Sequence, residues 1–147
     1  MMSEEHKKGY ENHPIQLKAL KVLELSIKVI HEPDQQTSPD GGKFSLFHGQ
    51  SEYDQEKKAI AVKIGVEIGR EVEESPFDLR VEILGLFNVD EDKFPIKSVH
   101  SWAKQNAPLI LYPYLREQVF SLTSRAGFEG TLLPLFQVPT FSATKRA

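Results

Sequence analysis

The chain has 147 residues, 39% hydrophobic and 27% charged, with a net charge of −3 at pH 7 and a pI of about 6.0. This describes one ordinary folded domain, able to bury its own core, and excludes a disordered chain. It also excludes a phosphate-tracking nucleic-acid surface, because no block of Lys and Arg occurs in the sequence. Cysteine is absent, so there can be no disulfide, thiolate nucleophile or Cys-based zinc site. No signal-like apolar core occurs near Met1, and no apolar run reaches about 18 residues. The chain therefore reads as cytoplasmic, without membrane insertion.

In chain order, residues 1–14 are polar and read as a flexible tail, residues 15–141 as a single domain, and residues 142–147 as a second tail. Over residues 15–30 the odd positions Ile15, Leu17, Ala19, Leu23, Leu25, Ile27 and Val29 are apolar and polar residues alternate with them. Period two over such a length predicts a long half-buried strand. Leu20 and Val22 break the alternation, which calls for a bulge or burial on both faces. Residues 31–43 are rich in Pro, Asp, Ser and Gly and read as a loop.

Phe44 and Leu46, with Tyr53 beyond them, mark a weaker second strand. Residues 58–72 alternate cleanly, with Ile60, Val62, Ile64, Val66, Ile68 and Val72 on one face. Phe77, Leu79, Val81 and Ile83 open a fourth strand whose phase is expected to slip near Gly85. Four strands joined by turns, with no helix between them, imply an antiparallel sheet and an α+β fold. Pro95 then opens a short helix that includes Trp102. A long apolar helix follows, with Pro108 in its first turn and Gly127 placed as a left-handed cap. Pro113 is expected to kink that helix or delay its start. The stretch from Leu132 to Phe141 is apolar but holds Pro134 and Pro139, so it reads as extended.

Catalysis finds no support in these residues. The five histidines (6, 13, 31, 48 and 100) have no metal-ligand spacing and read as solvated. Gly41-Gly42 lacks the Lys and Ser/Thr of a phosphate loop, and no Gly-x-Ser-x-Gly elbow occurs. Asp90-Glu91-Asp92 reads as a surface turn, not a calcium loop. No cofactor is expected. The one charged pair in the long helix, Arg116-Glu117, needs a partner wherever it is buried, and is expected to fix helix docking or subunit register. An apolar helix on a one-sided sheet leaves greasy area that invites partners, including a second copy.

From Ala107 to Glu117 the sequence reads Ala-Pro-Leu-Ile-Leu-Tyr-Pro-Tyr-Leu-Arg-Glu, and from Ser124 it reads Ser-Arg-Ala-Gly-Phe. These two stretches resemble the long helix and helix exit of the SecB family of export chaperones. The strand order, Gly85-Leu86-Phe87 and the short helix agree, over residues 15–134 in all. The resemblance implies a four-stranded sheet, a short helix and a long helix, assembled as a dimer of dimers with the long helices between dimers. It implies an ATP-independent homotetramer that holds unfolded or precursor polypeptides in apolar grooves and passes them to the SecA motor. By the same alignment Phe77, Tyr114, Phe136 and Phe141 are expected to line the client groove, and Glu24 to dock the motor. Tyr112, Leu115, Arg116 and Val119 are expected at the subunit interface.

Three positions depart from the family's docking pattern: Lys28, Asp78 and Arg80. An Arg where a carboxylate is expected would repel a basic tail. One alternative is therefore a SecB-like chaperone dedicated to a single client, such as a toxin–antitoxin pair. Another is an oligomeric adaptor whose apolar helix builds only the assembly.

Overall fold

The computed structural model describes residues 9–32, 44–69 and 75–135, together with the short strand Thr144–Lys145. Four strands, β1 (Ile15–Val29), β2 (Phe44–Gln50), β3 (Ala59–Ile68) and β4 (Phe77–Val89), form the expected antiparallel sheet. A fifth strand, β5 (Thr144–Lys145), which the alternation does not reveal, pairs in parallel with β2. The order across the sheet is β1-β4-β3-β2-β5. A single 3-10 turn (Ile96–Ser98) leads into α1 (Val99–Gln105), and only Asn106 separates α1 from α2 (Ala107–Arg125).

Both helices lie on one face of the sheet. The helix-side residues of β3 and β4 alternate as period two requires: Ile60, Val62, Ile64, Val66 and Ile68 from β3, and Phe77, Leu79, Val81, Ile83, Phe87 and Val89 from β4, are all buried. α2 closes this layer with Leu111, Leu115 and Val119, each fully buried. Each aliphatic or aromatic side chain removed from water contributes about 1.5–3 kcal/mol.

Of two expectations about the strands, the phase slip in β4 is corrected and the irregularity in β1 is found as bulges. The alternation in β4 does not slip: Gly85 sits in phase between Ile83 and Phe87 on the helix side. It is glycine because Leu111 packs there, and a Cβ would come within 2.6 Å of Leu111 Cδ2. In β1 the broken alternation comes from two register shifts, at Leu17/Ala19 and Val22/Glu24. Lys18 and Leu23 are the extra residues, and Leu20 and Val22 thereby turn to the helix side, opposite Gly85 and Ile83. Ala19 faces outward instead.

α2 runs through Pro113 as one helix, and Pro108 lies in its first turn. Gly127, at φ 95°, and a bond from the Phe128 amide to the Thr123 carbonyl at 3.1 Å close it as a left-handed cap. Phe128 then packs edge-on against Phe77, ring centroids 5.0 Å apart. At the other end Trp102 meets Phe87 edge-on at 5.1 Å. His48, expected to be solvated, is buried on β2. The chain is anchored before Ile15 as well: the Asp90 amide donates to the Pro14 carbonyl at 2.8 Å, and the Ile15 amide donates to His13 Nδ1 at 3.0 Å.

Candidate functional site: the uncovered part of the helix-side face

α2 has two flanks beside its buried stripe. Along one, Tyr112, Arg116 and Phe120 recur every four residues and meet the chain that follows the helix. The Tyr112 hydroxyl donates to the Pro134 carbonyl, and Arg116 Nε donates to the Leu133 carbonyl at 2.8 Å. The Phe120 ring lies where a side chain on Gly130 would be. Thr123, wholly buried, accepts from the Thr131 amide at 2.9 Å. These contacts pin residues 130–134 along that flank.

The opposite flank carries Ile110 and Tyr114, 41% and 44% exposed, with no described chain over them. On the same face of the sheet β1 contributes Leu20, Val22 and Leu25, which point to the helix side yet stay 38–50% exposed. β1 is an edge strand of 15 residues, and although α2 packs on β1 as well as on β3 and β4, these side chains stay partly exposed. Leu23, Val29 and Ile30 extend the apolar exposure along that edge. An apolar strip of this kind on a small domain marks a surface for other chains.

The expected site residues divide accordingly. Tyr114 is accessible, as a groove residue must be. Phe77 is not: it has no exposed surface and packs into the core against Phe128, so its assignment to the groove is corrected. Its place at the first position of β4, on the helix side, buries it under the end of α2. Phe136 and Phe141 lie outside the described residues. Leu115 and Val119, expected between subunits, instead pack inside the protomer on the sheet side of α2, and Tyr112 is buried on its flank against Pro134 of the same chain. Arg116 finds its partner in the same chain, at Leu133. Ile110, Leu20, Val22 and Leu25 escape the sequence reading. The off-phase positions of Leu20 and Val22 were the only signal available for them.

Burial raises the Tyr112 hydroxyl pKa to about 12, with the nearby Arg116 opposing the shift only in part. A folded-state value above the ordinary 10 means that the stability held by the neutral hydroxyl is complete below pH 10. It is lost as pH rises through 12. The expected loss is about 2–3 kcal/mol, measurable by urea unfolding across that range. Tyr112→Phe should flatten the decline.

The outer face of the sheet is charged and self-paired. Arg80 Nε donates to Glu24 Oε1 at 3.0 Å, Nη2 to Glu82 Oε2 at 3.1 Å, and Nη1 to Glu67. The guanidinium also stacks over the Phe47 ring, 4.5 Å from its centroid, and that ring covers Gly65. Lys63 reaches Glu82 at 3.5 Å. Glu24 is thus held by Arg80. Among the described residues no cluster of His, Asp and Glu could hold a metal ion, and no helix is long and apolar enough to cross a membrane.

The family model for SecB, the preprotein translocase subunit, matches residues 9–138. A protein-export protein SecB of Anaplasma phagocytophilum is 35% identical over 57% of the chain, and an uncharacterised protein of Methanocaldococcus jannaschii is 32% identical over 52%. The matched stretches span about half the length of these relatives, 51% and 48% respectively. Among solved structures, a Mycobacterium tuberculosis SecB-like chaperone in complex with a ChAD peptide from the HigA1 antitoxin superposes with a TM-score of 0.65 at 20% identity. That superposition covers 86% of this chain and 94% of the other. The sheet followed by a long C-terminal helix is the same fold, and the match over residues 9–138 places the chain in the SecB family, a family of chaperones and not an enzyme class.

Proposed function

We propose that this protein is an ATP-independent chaperone that binds unfolded polypeptides and keeps them competent for export. The observation that carries this reading is the exposed apolar surface of Leu20, Val22 and Leu25 on β1 and of Ile110 and Tyr114 on α2, which no described helix covers. An unfolded chain supplies apolar segments to such a strip at about 25 cal/mol per Å² buried, with little demand on sequence. The edge of β1, unpaired among the described residues, supports self-association, since a long edge strand with apolar neighbours is a template for another chain. Several strips on one assembly then engage one long client together, and avidity turns weak contacts into tight holding.

A dedicated-client role, such as service to a toxin–antitoxin pair, is favoured by one observation. Glu24, the acidic residue the resemblance assigns to motor docking, is already taken by Arg80. Coupling to the SecA motor would have to displace that pair.

The test is aggregation of a denatured protein diluted from urea, followed by light scattering without nucleotide. The chaperone reading predicts suppression at near-stoichiometric amounts. Unchanged aggregation at a tenfold excess would favour an adaptor that only assembles.

A further inference from the structure

Two outward charges dictate the irregularity in the middle of β1. Lys21 and Glu24 both stand on the outer face of the sheet, opposite Leu84 and Glu82 of β4. Residues three apart on a regular strand point to opposite faces, so one extra residue must lie between them. Leu23 is that residue. Without it, one of the two charges would turn to the apolar helix side, where its desolvation is costly.

Packing does little to hold this bulge in place. β1 is an edge strand, and Leu20, Val22 and Leu25 on its helix side stay partly exposed. Register is weakly specified where neither face is well buried, and a one-residue slip turns every side chain over. The polar contact at Glu24 is better defined. Arg80 Nε donates to one carboxylate oxygen at 3.0 Å, and the Ser26 hydroxyl donates to the other at 2.9 Å. The guanidinium is itself held from strands beyond β1, by Glu82 on β4, Glu67 on β3 and the Phe47 ring on β2. It therefore presents to β1 a donor whose position does not depend on β1.

We infer that Glu24 and Arg80 are a register-setting pair: they fix the second bulge of β1 between Val22 and Glu24, and so keep Leu25 beside Leu20 and Val22 on the helix side. Setting register is a role that ion pairs inside proteins are suited to, even where they add little stability. The consequence for client binding rests on the chaperone reading, whereas the register role does not.

The chain has no cysteine, so an introduced pair reports on register without background. Ile27 lies directly opposite Leu79 on the helix side, while the neighbouring Asp78 points outward. Ile27→Cys/Leu79→Cys should therefore oxidise readily to a disulfide. Ile27→Cys/Asp78→Cys should close only after a one-residue slip, because the Cβ atoms otherwise point to opposite faces. Adding Glu24→Leu should speed closure of this second pair about tenfold or more, as expected for losing a charged hydrogen bond. Glu67→Gln, which removes a carboxylate from Arg80 on the β3 side, should leave the rate unchanged. An unchanged rate with Glu24→Leu, or the same acceleration by Glu67→Gln, overturns the inference.

Both disulfide forms are then titrated with a permanently unfolded, alkylated protein. The Ile27→Cys/Leu79→Cys form should bind like the parent, and the slipped form at least about threefold more weakly, because Leu25 is turned away from the strip. If the parent and both disulfide forms fail to bind while the closure rates behave as stated, the chaperone reading fails and the register role stands. Equal, measurable binding by both disulfide forms overturns the claim that this register places the strip.

Discussion

Tyr114→Asp is expected to weaken binding of an unfolded protein at least about tenfold, the equivalent of 1.4 kcal/mol, with almost no change in stability. The ring is 44% exposed on the flank of α2 that no described chain covers, so a carboxylate there remains solvated when the chain folds. Substitutions at such positions usually move stability by no more than about 0.5 kcal/mol. When a client's apolar segment arrives, the same carboxylate must be desolvated without a partner, and binding loses that cost as well as the ring's apolar area. Isothermal titration with an alkylated unfolded protein, beside urea unfolding of the variant, separates the two effects. Unchanged affinity would remove Tyr114 from the client surface.

Phe77→Ala should do the reverse, destabilising the fold by about 3–5 kcal/mol. Phe77 has no exposed surface, and it joins the start of β4 to the exit of α2 through its edge contact with Phe128. Removing the ring opens a cavity where sheet and helix meet, and a domain of this size has only about 5–15 kcal/mol to lose. The expected result is a urea midpoint shifted far down with an unchanged slope. At temperatures where the variant is still folded, client affinity should match the parent. A stable variant that holds clients poorly would return Phe77 to the groove and contradict the packing described here.

The contrast between these two rings shows what the sequence could and could not convey. Alternation in β3 and in β4 up to Ile83, Pro108 in the first turn of α2 and the Gly127 cap are local signals, and each corresponds to the element found. Which aromatic is covered depends on where α2 lies over the sheet, which no local pattern encodes. Phe77 and Tyr114 look equally suited to a groove until the end of α2 is seen above one and solvent above the other. For the same reason Tyr112, Leu115 and Val119 read as an interface. An apolar helical stripe does not say whether a sheet of the same chain or another subunit will cover it.

β1 was legible only in part. Its off-phase Leu20 and Val22 signalled an irregularity, but one bulge, two bulges and two-sided burial leave similar traces in an alternating pattern. The two register shifts bring Leu20, Val22 and Leu25 onto one face, producing the exposed strip on which the functional reading depends. The Arg80 cluster was visible as a departure, while its consequence was not. Arg80 faces three carboxylates because β1, β4 and β3 are neighbours in the sheet, an arrangement set by topology rather than by spacing along the chain.

The most direct measurement is a titration of the purified protein with one polypeptide in two forms, native with its disulfides intact and permanently unfolded by reduction and alkylation, without nucleotide. The account predicts saturable binding of the unfolded form and none of the native form. Failure to bind the unfolded form, or equal binding of both, would contradict it.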